Sequence, residues 1–172
     1  ILQSINLKEC EVGVIYAGDW YRSDEIPSDA FLFKSTLVNF VFPEMVTKIG
    51  QNAFYGTLLS GALVIPEDVV EIGAAAFMGT NISSLQLSPN LKVLSNDVFS
   101  GCSSLSGSLS LPESLESIGI SCFGGCGMLS GNLILPSGLK EIGVGCFSSC
   151  GFVGDLVIPN GVTTIGDLAF YN

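Results

Sequence analysis

The residues best suited to chemistry are cysteines. Cys122-x-x-x-Cys126 and Cys146-x-x-x-Cys150 stand 24 residues apart, so four thiolates could converge on one zinc ion, which such ligands hold tetrahedrally. Cys102, Cys126 and Cys150 keep the same period, and the chain has no His to complete a mixed site. A disulfide between neighbouring thiols is compatible in distance but needs a specific dihedral angle. A cysteine is also a small, buriable hydrophobe that fits where two segments approach closely. The register favours two columns of inert core thiols, so neither a metal nor a cofactor is expected.

Other catalytic sets are harder to assemble. With no His, Ser-His and Cys-His nucleophile pairs are excluded. Glu67 and Asp68 follow Pro66 in a loop, with nothing to drive their two pKa values apart. Gly124-Gly125-Cys126-Gly127 lacks the long following helix of a phosphate-binding loop. Glu44, Glu67 and Glu113 recur after prolines, but Asn90, Ser137 and Asn160 take the same place elsewhere. The spacing lacks the dense acidic loop that calcium needs. No catalytic residue is assigned, and the chain is read as non-enzymatic. Asn81-Ile82-Ser83 is a glycosylation sequon, meaningful only in a eukaryotic secretory setting.

Charge narrows the partners. Sixteen acids against six bases leave a net charge of −10, which repels nucleic acid and disfavours anionic membrane surfaces. No apolar run reaches the roughly 18 residues of a bilayer span, so no membrane insertion by this segment is expected. Hydrophobic residues make up 48% of the chain and charged ones 13%, with 21 glycines. That balance suits a continuous core joined by many short turns.

The elements that position these residues repeat. Phe recurs at 31, 54, 77, 99, 123, 147 and 170, in steps of 22 to 24 residues. An aliphatic residue precedes each by five: Ile26, Ile49, Ile72, Leu94, Ile118, Ile142 and Ile165. Pro43, Pro66, Pro89, Pro112, Pro136 and Pro159 keep nearly the same period. In one unit, Leu133-Ile134-Leu135 alternates as a strand does, with Ile134 outward, and Pro136 ends it. Leu139 and Ile142 add a second inward edge, and Gly143 is read as a corner at positive φ. About one helical turn then drives Phe147 into the core. One such unit cannot bury these groups alone, but a stack of them can, each strand pairing with the next about 4.8 Å away.

The unit resembles the BspA-type (Treponema-type) branch of leucine-rich-repeat surface proteins, approximately L-x-L-P-x-x-L-x-x-I-x-x-x-A-F-x-x-C. Ala53-Phe54, Ala76-Phe77 and Ala169-Phe170 match its Ala-Phe step, and Cys102, Cys126 and Cys150 its terminal Cys. The resemblance implies an open-ended, right-handed leucine-rich-repeat solenoid of about 23 residues per coil, with short parallel strands and short helical or 3-10 turns. Two departures stand out. Cys122, Cys146 and Val98 replace the Ala, and Leu87-Ser88-Pro89 shifts the proline by one, which should distort that coil. Residues 1–23 lack the repeat and are read as an N-terminal capping segment, with Trp20 and Tyr21 over the end of the core. Residues 24–172 are read as the solenoid, with the last coil truncated.

Two surfaces follow. Lys92, Glu116 and Lys140 fall at one position of consecutive coils and should form an exposed ladder of alternating charge. The outward residues of the Leu-x-Leu strands are Val41, Val64, Gln86, Ser110, Ile134 and Val157, flanked by others including Asn132 and Asp155. Four of the six are aliphatic, so this face is the candidate partner-binding surface. The resemblance implies an extracellular or cell-surface adhesion module of a host-associated bacterium, binding a host matrix or cell-surface protein. A passive spacer within a larger surface protein is the alternative, as is an accessory region that recruits polysaccharide. The few aromatics free for the latter are Tyr16, Trp20, Tyr21 and Tyr55.

Overall fold

The computed structural model describes residues 14–16, 24–43 and 45–172. The capping segment expected over residues 1–23 lies outside these, apart from the backbone of Val14–Tyr16, as does Glu44. The chain winds as a stack of parallel coils, and among the described residues there is no helix.

Eleven short strands build the stack. In chain order they are β1 (Val14–Tyr16), β2 (Glu25–Ile26), β3 (Asn39–Val41), β4 (Lys48–Ile49), β5 (Ser60–Val64) and β6 (Glu71–Ile72). Then come β7 (Asn81–Gln86), β8 (Val93–Leu94), β9 (Ser117–Ile118), β10 (Glu141–Ile142) and β11 (Thr164–Ile165). Seven of them form one unbroken parallel sheet, ordered β11-β10-β9-β8-β6-β4-β2. Its register sets Ile26 beside Ile49, Ile49 beside Ile72, and so on to Ile142 beside Ile165. β-Branched residues suit this pleated, half-buried setting, and the alternation sends the residue before each one outward.

The Leu-x-Leu segments, expected to supply the strand of each coil, pair less regularly. β1 pairs with β3 and β5 with β7, and further along only an isolated bridge joins Gly107 to Leu129. The reason is local. Gly107, Gly131 and Gly154 take φ between 78° and 90° just before the segments that form no strand, whereas Gly61, at 77°, lies inside β5 where the register shifts. The coil at Asn81–Gln86 has no such glycine and forms the longest strand, at the cost of a register shift opposite Gly61 and Ala62. This is also the coil with the displaced proline. There Ser88 is fully buried, its hydroxyl donating to Glu67 O at 2.7 Å and accepting from Asn90 N at 3.1 Å.

The helical turn expected before each core Phe is replaced by a row of tight turns. Backbone donors alternate: Ala53 N and Tyr55 N bond three residues back, while Asn52 N, Phe54 N and Gly56 N reach Ala74 O, Ala76 O and Met78 O of the next coil. The residue two before each Phe prevents a helix. Asp29, Asn52, Ala75, Asp97, Ser121, Gly145 and Leu168 all have φ between 49° and 59°, the left-handed region that a right-handed helix cannot contain.

Gly143 is not the positive-φ corner expected of it; that role falls to Gly145. A Cβ on Gly143 would lie 2.4 Å from Gly119 C and 2.5 Å from Ile120 N. The residue is glycine because the preceding coil passes too close for a side chain. Its amide donates to Ile118 O at 2.7 Å. At the equivalent Ser95 the hydroxyl itself donates to Ile72 O, also at 2.7 Å.

Phe31, Phe54, Phe77, Phe99, Phe123, Phe147 and Phe170 stack face to face, with successive ring centroids 5.1 to 5.6 Å apart. With the aliphatic column from Ile26 to Ile142 they form the core, and in the last coil Phe170 is only partly buried while Ile165 is exposed.

Candidate binding face

The Leu-x-Leu alternation holds in the inner coils even where the strands lapse, while in the last coil Leu156 is exposed beside Val157. Leu63 and Ile65, Leu109 and Leu111, and Leu133 and Leu135 are buried, and the residue between each pair faces out. Val41, Val64, Gln86, Ser110, Ile134 and Val157 are all exposed, with Ile134 72% and Val157 73% accessible. Asn132 and Asp155 are exposed beside them. Ile134 and Val157 occupy the same position of consecutive coils, whose register is fixed nearby by Val153 N donating to Gly131 O at 3.0 Å. Val41 and Val64 form a second such pair. Gln86 and Ser110 separate the two, so the face carries two apolar patches with a polar gap. A surface of this form can dock apolar groups at fixed spacing but supplies no reactive side chain.

The unbroken sheet presents a different surface. Lys140 Nζ reaches Glu116 Oε2 at 2.6 Å, joining two members of the charge ladder read from the sequence. The hydrogen bond from Lys140, its charge and that of Lys92 hold the Glu116 carboxyl below its ordinary value. A second alternating column was not foreseen. Lys48 Nζ lies 3.2 Å from Glu71 Oε1, and Glu71 together with Glu25 raises the Lys48 pKa. The signal was present in the acidic, basic, acidic order of Glu25, Lys48 and Glu71, each placed just before a core Ile. The paired side chains remain 40–60% accessible to solvent, so the ladders support register more than stability.

The cysteines sit in the core in two columns. Cys102, Cys126 and Cys150 follow Thr57 and Thr80 three residues after the core Phe, and Cys122 and Cys146 share a column with Ala53, Ala76, Val98 and Ala169. All five described cysteines are buried free thiols. Burial raises the pKa of each, that of Cys150 to about 11, that of Cys126 and Cys146 further, and that of Cys122 well above the ordinary thiol value. Thiolate, the reactive and metal-binding form, is therefore scarce at neutral pH. Among the described residues no three His, Cys, Asp or Glu side chains group so as to hold a metal ion.

This geometry can be compared with known proteins. The family model for the BspA type leucine rich repeat region matches in six copies, over residues 24–150 and 70–172. The chain belongs to this family. No curated protein matches it significantly. Among solved structures, a leucine-rich repeat protein from Bacteroides ovatus is 32% identical with a TM-score of 0.73, the match covering 81% of this chain and 36% of that one. The Treponema pallidum leucine rich repeat protein is 29% identical with a TM-score of 0.62, covering 84% of this chain and 63% of the other. A leucine-rich repeat protein from Eubacterium ventriosum shares the fold at 24% identity and a TM-score of 0.67, over 87% of this chain and 42% of that one. The chain thus spans roughly a third to under two thirds of these structures' length. In this BspA-type solenoid the family's Ala and Cys positions are the two columns just described, which explains why Cys and Ala alternate freely in one of them. Among the described residues no helix is long and apolar enough to cross a membrane.

Proposed function

We propose that this BspA-type repeat is a non-catalytic, protein-binding module of an extracellular or cell-surface protein. It would adhere to host or neighbouring-cell proteins through the face bearing Val41, Val64, Gln86, Ser110, Ile134 and Val157, with Asn132 and Asp155 at its margin. The observation that carries this reading is the exposure of Ile134 and Val157, two large aliphatic side chains side by side on consecutive coils. Neither contributes to the core, and apolar surface kept in water at adjacent rungs suits a partner that covers it. A rigid stack also loses little conformational entropy when it docks. The division of residues 1–23 as a cap from 24–172 as the binding solenoid is part of the same proposal.

The test is surface plasmon resonance of the purified chain against matrix glycoproteins and mucins. Saturable binding to at least one of them is expected, weakened at least about tenfold by the double substitution Ile134→Asp and Val157→Asp. The melting temperature should stay unchanged, because both side chains point into solvent. Equal affinity in the double variant would remove this face from consideration.

A further inference from the structure

Phe33 breaks a pattern that other coils keep. The residue two places after the core Phe has positive φ at Phe33, Gly56, Gly79, Gly101, Gly125 and Ser149. Four of these six are glycine, which adopts that conformation freely, whereas a bulky aromatic is strained there. Phe33 holds φ 55° and is nevertheless 64% exposed. The fold would be served better by glycine. Strain at an exposed aromatic is the kind of outlier that points to a binding role.

The ring is held in place. Its centroid lies 5.1 Å from that of Tyr55 at an interplanar angle of 50°, and Phe33 N donates to Tyr55 O at 2.8 Å. It also lies across Gly56, where a Cβ would come within 2.5 Å of Phe33 Cδ1. A side chain at position 56 would therefore displace the platform. Lys34, Ser35 and Thr36 follow immediately and are all exposed.

We propose that Phe33 and Tyr55 form a stacking platform for a neutral sugar residue of a polysaccharide. A pyranose ring has an apolar C–H face and a rim of hydroxyls. Two tilted aromatic rings match the face, and the Tyr55 phenol with the Ser35 and Thr36 hydroxyls can meet the rim. The net charge of −10 disfavours acidic or sulfated chains and leaves the neutral ones. An aromatic anchor for a protein partner is normally ringed by contacts that exclude water. The polar, exposed run of Lys34, Ser35 and Thr36 is unlike such a ring. This site is independent of the Ile134 and Val157 face.

Affinity gel electrophoresis of the whole chain through gels containing soluble starch, hydroxyethylcellulose or galactomannan tests the proposal. Retardation by at least one polymer is expected, and Phe33→Gly should weaken it at least about tenfold. That substitution installs the residue other coils use, so the melting temperature should hold or rise. Phe33→Trp, which keeps a ring, should retain binding, and Tyr55→Ala should lose it, providing a second measure if Phe33→Gly folds poorly. No retardation by any of the polymers would overturn the assignment, as would retardation that Phe33→Gly and Tyr55→Ala leave unchanged.

Discussion

Cys126 Sγ donates to the carbonyl oxygen of Phe99 at 3.2 Å, across a separation of 27 residues. Cys102 to Phe77 and Cys150 to Phe123 repeat the contact at the same distance. Thr57 and Thr80, in the same column, instead turn their hydroxyls to the Phe carbonyl of their own coil at 2.9 Å. The column thus places a small donor against a Phe carbonyl in every one of these coils, and thiol or hydroxyl serves.

If that donor role is what selects the residue, exchange within a column should cost little. Cys126→Thr and Cys122→Ala each import a residue found elsewhere in the same column, and should change unfolding free energy by less than about 1 kcal/mol in urea titrations. In the native protein at pH 8, iodoacetamide should label the five core thiols only at the rate of unfolding. Fast labelling of Cys122 or Cys126 without denaturant would contradict the buried, protonated state described above.

Two glycines two residues apart should behave differently. Gly145→Ala places a Cβ in ordinary van der Waals contact, 3.5 Å from Ser148 Oγ and 3.6 Å from Ser121 Oγ, but at φ 59°, a strain of about 1–2 kcal/mol. Gly143→Ala drives its Cβ to 2.4 Å from the backbone of the preceding coil, which would have to shift, so the loss should exceed that of Gly145→Ala. Ala75→Gly, at φ 55° in the same column as Gly145, should be neutral to slightly stabilising. Chemical denaturation of the three variants orders them; a Gly143→Ala protein as stable as the parent would remove the close-approach argument.

The ion pairs predict a pH signature. The Glu116 pKa is lowered in the folded chain, so its contribution is present above its ordinary value of 4.5 and is lost as pH falls through the lowered value. Glu116→Gln should flatten the acid limb of the stability profile below about pH 4.5 and leave neutral-pH stability almost unchanged. An acid limb left unchanged in the variant would show that the pair is not formed in solution.

The sequence was most legible where one residue type carries one role. The Phe and Ile columns, the Leu-x-Leu alternation and the Lys92, Glu116 and Lys140 ladder all reappear in the structure. The left-handed column was hidden because Asp29, Asn52, Ala75, Asp97, Ser121 and Leu168 share a backbone angle and no side-chain chemistry. Gly143 was assigned the commoner reason for a glycine when crowding by the adjacent coil was the operative one. The unbroken ladder was also misplaced. Two-residue strands such as Glu141–Ile142 are too short to show a period of two, whereas Leu133-Ile134-Leu135 shows it and is interrupted by the glycine before it. On the candidate face, outward direction followed from alternation, but the identity of a partner leaves no trace in spacing. Phe33 gives no signal in the Phe period because it lies off it, and its significance is that it stands where four other coils have glycine.

The coil-to-coil hydrogen bonds also bear on how the chain acquires its structure. Lys140 N to Glu116 O, Gly143 N to Ile118 O and Phe123 N to Cys146 O each close a loop of about one coil, and none joins distant parts of the chain. Every addition to a formed coil meets the same modest closure entropy, so folding can start at one rung and propagate to its neighbours. The rung most apt to stall that growth is the one holding Ser88 and the register shift beside Ala62, where the template presented to the incoming strand is out of step.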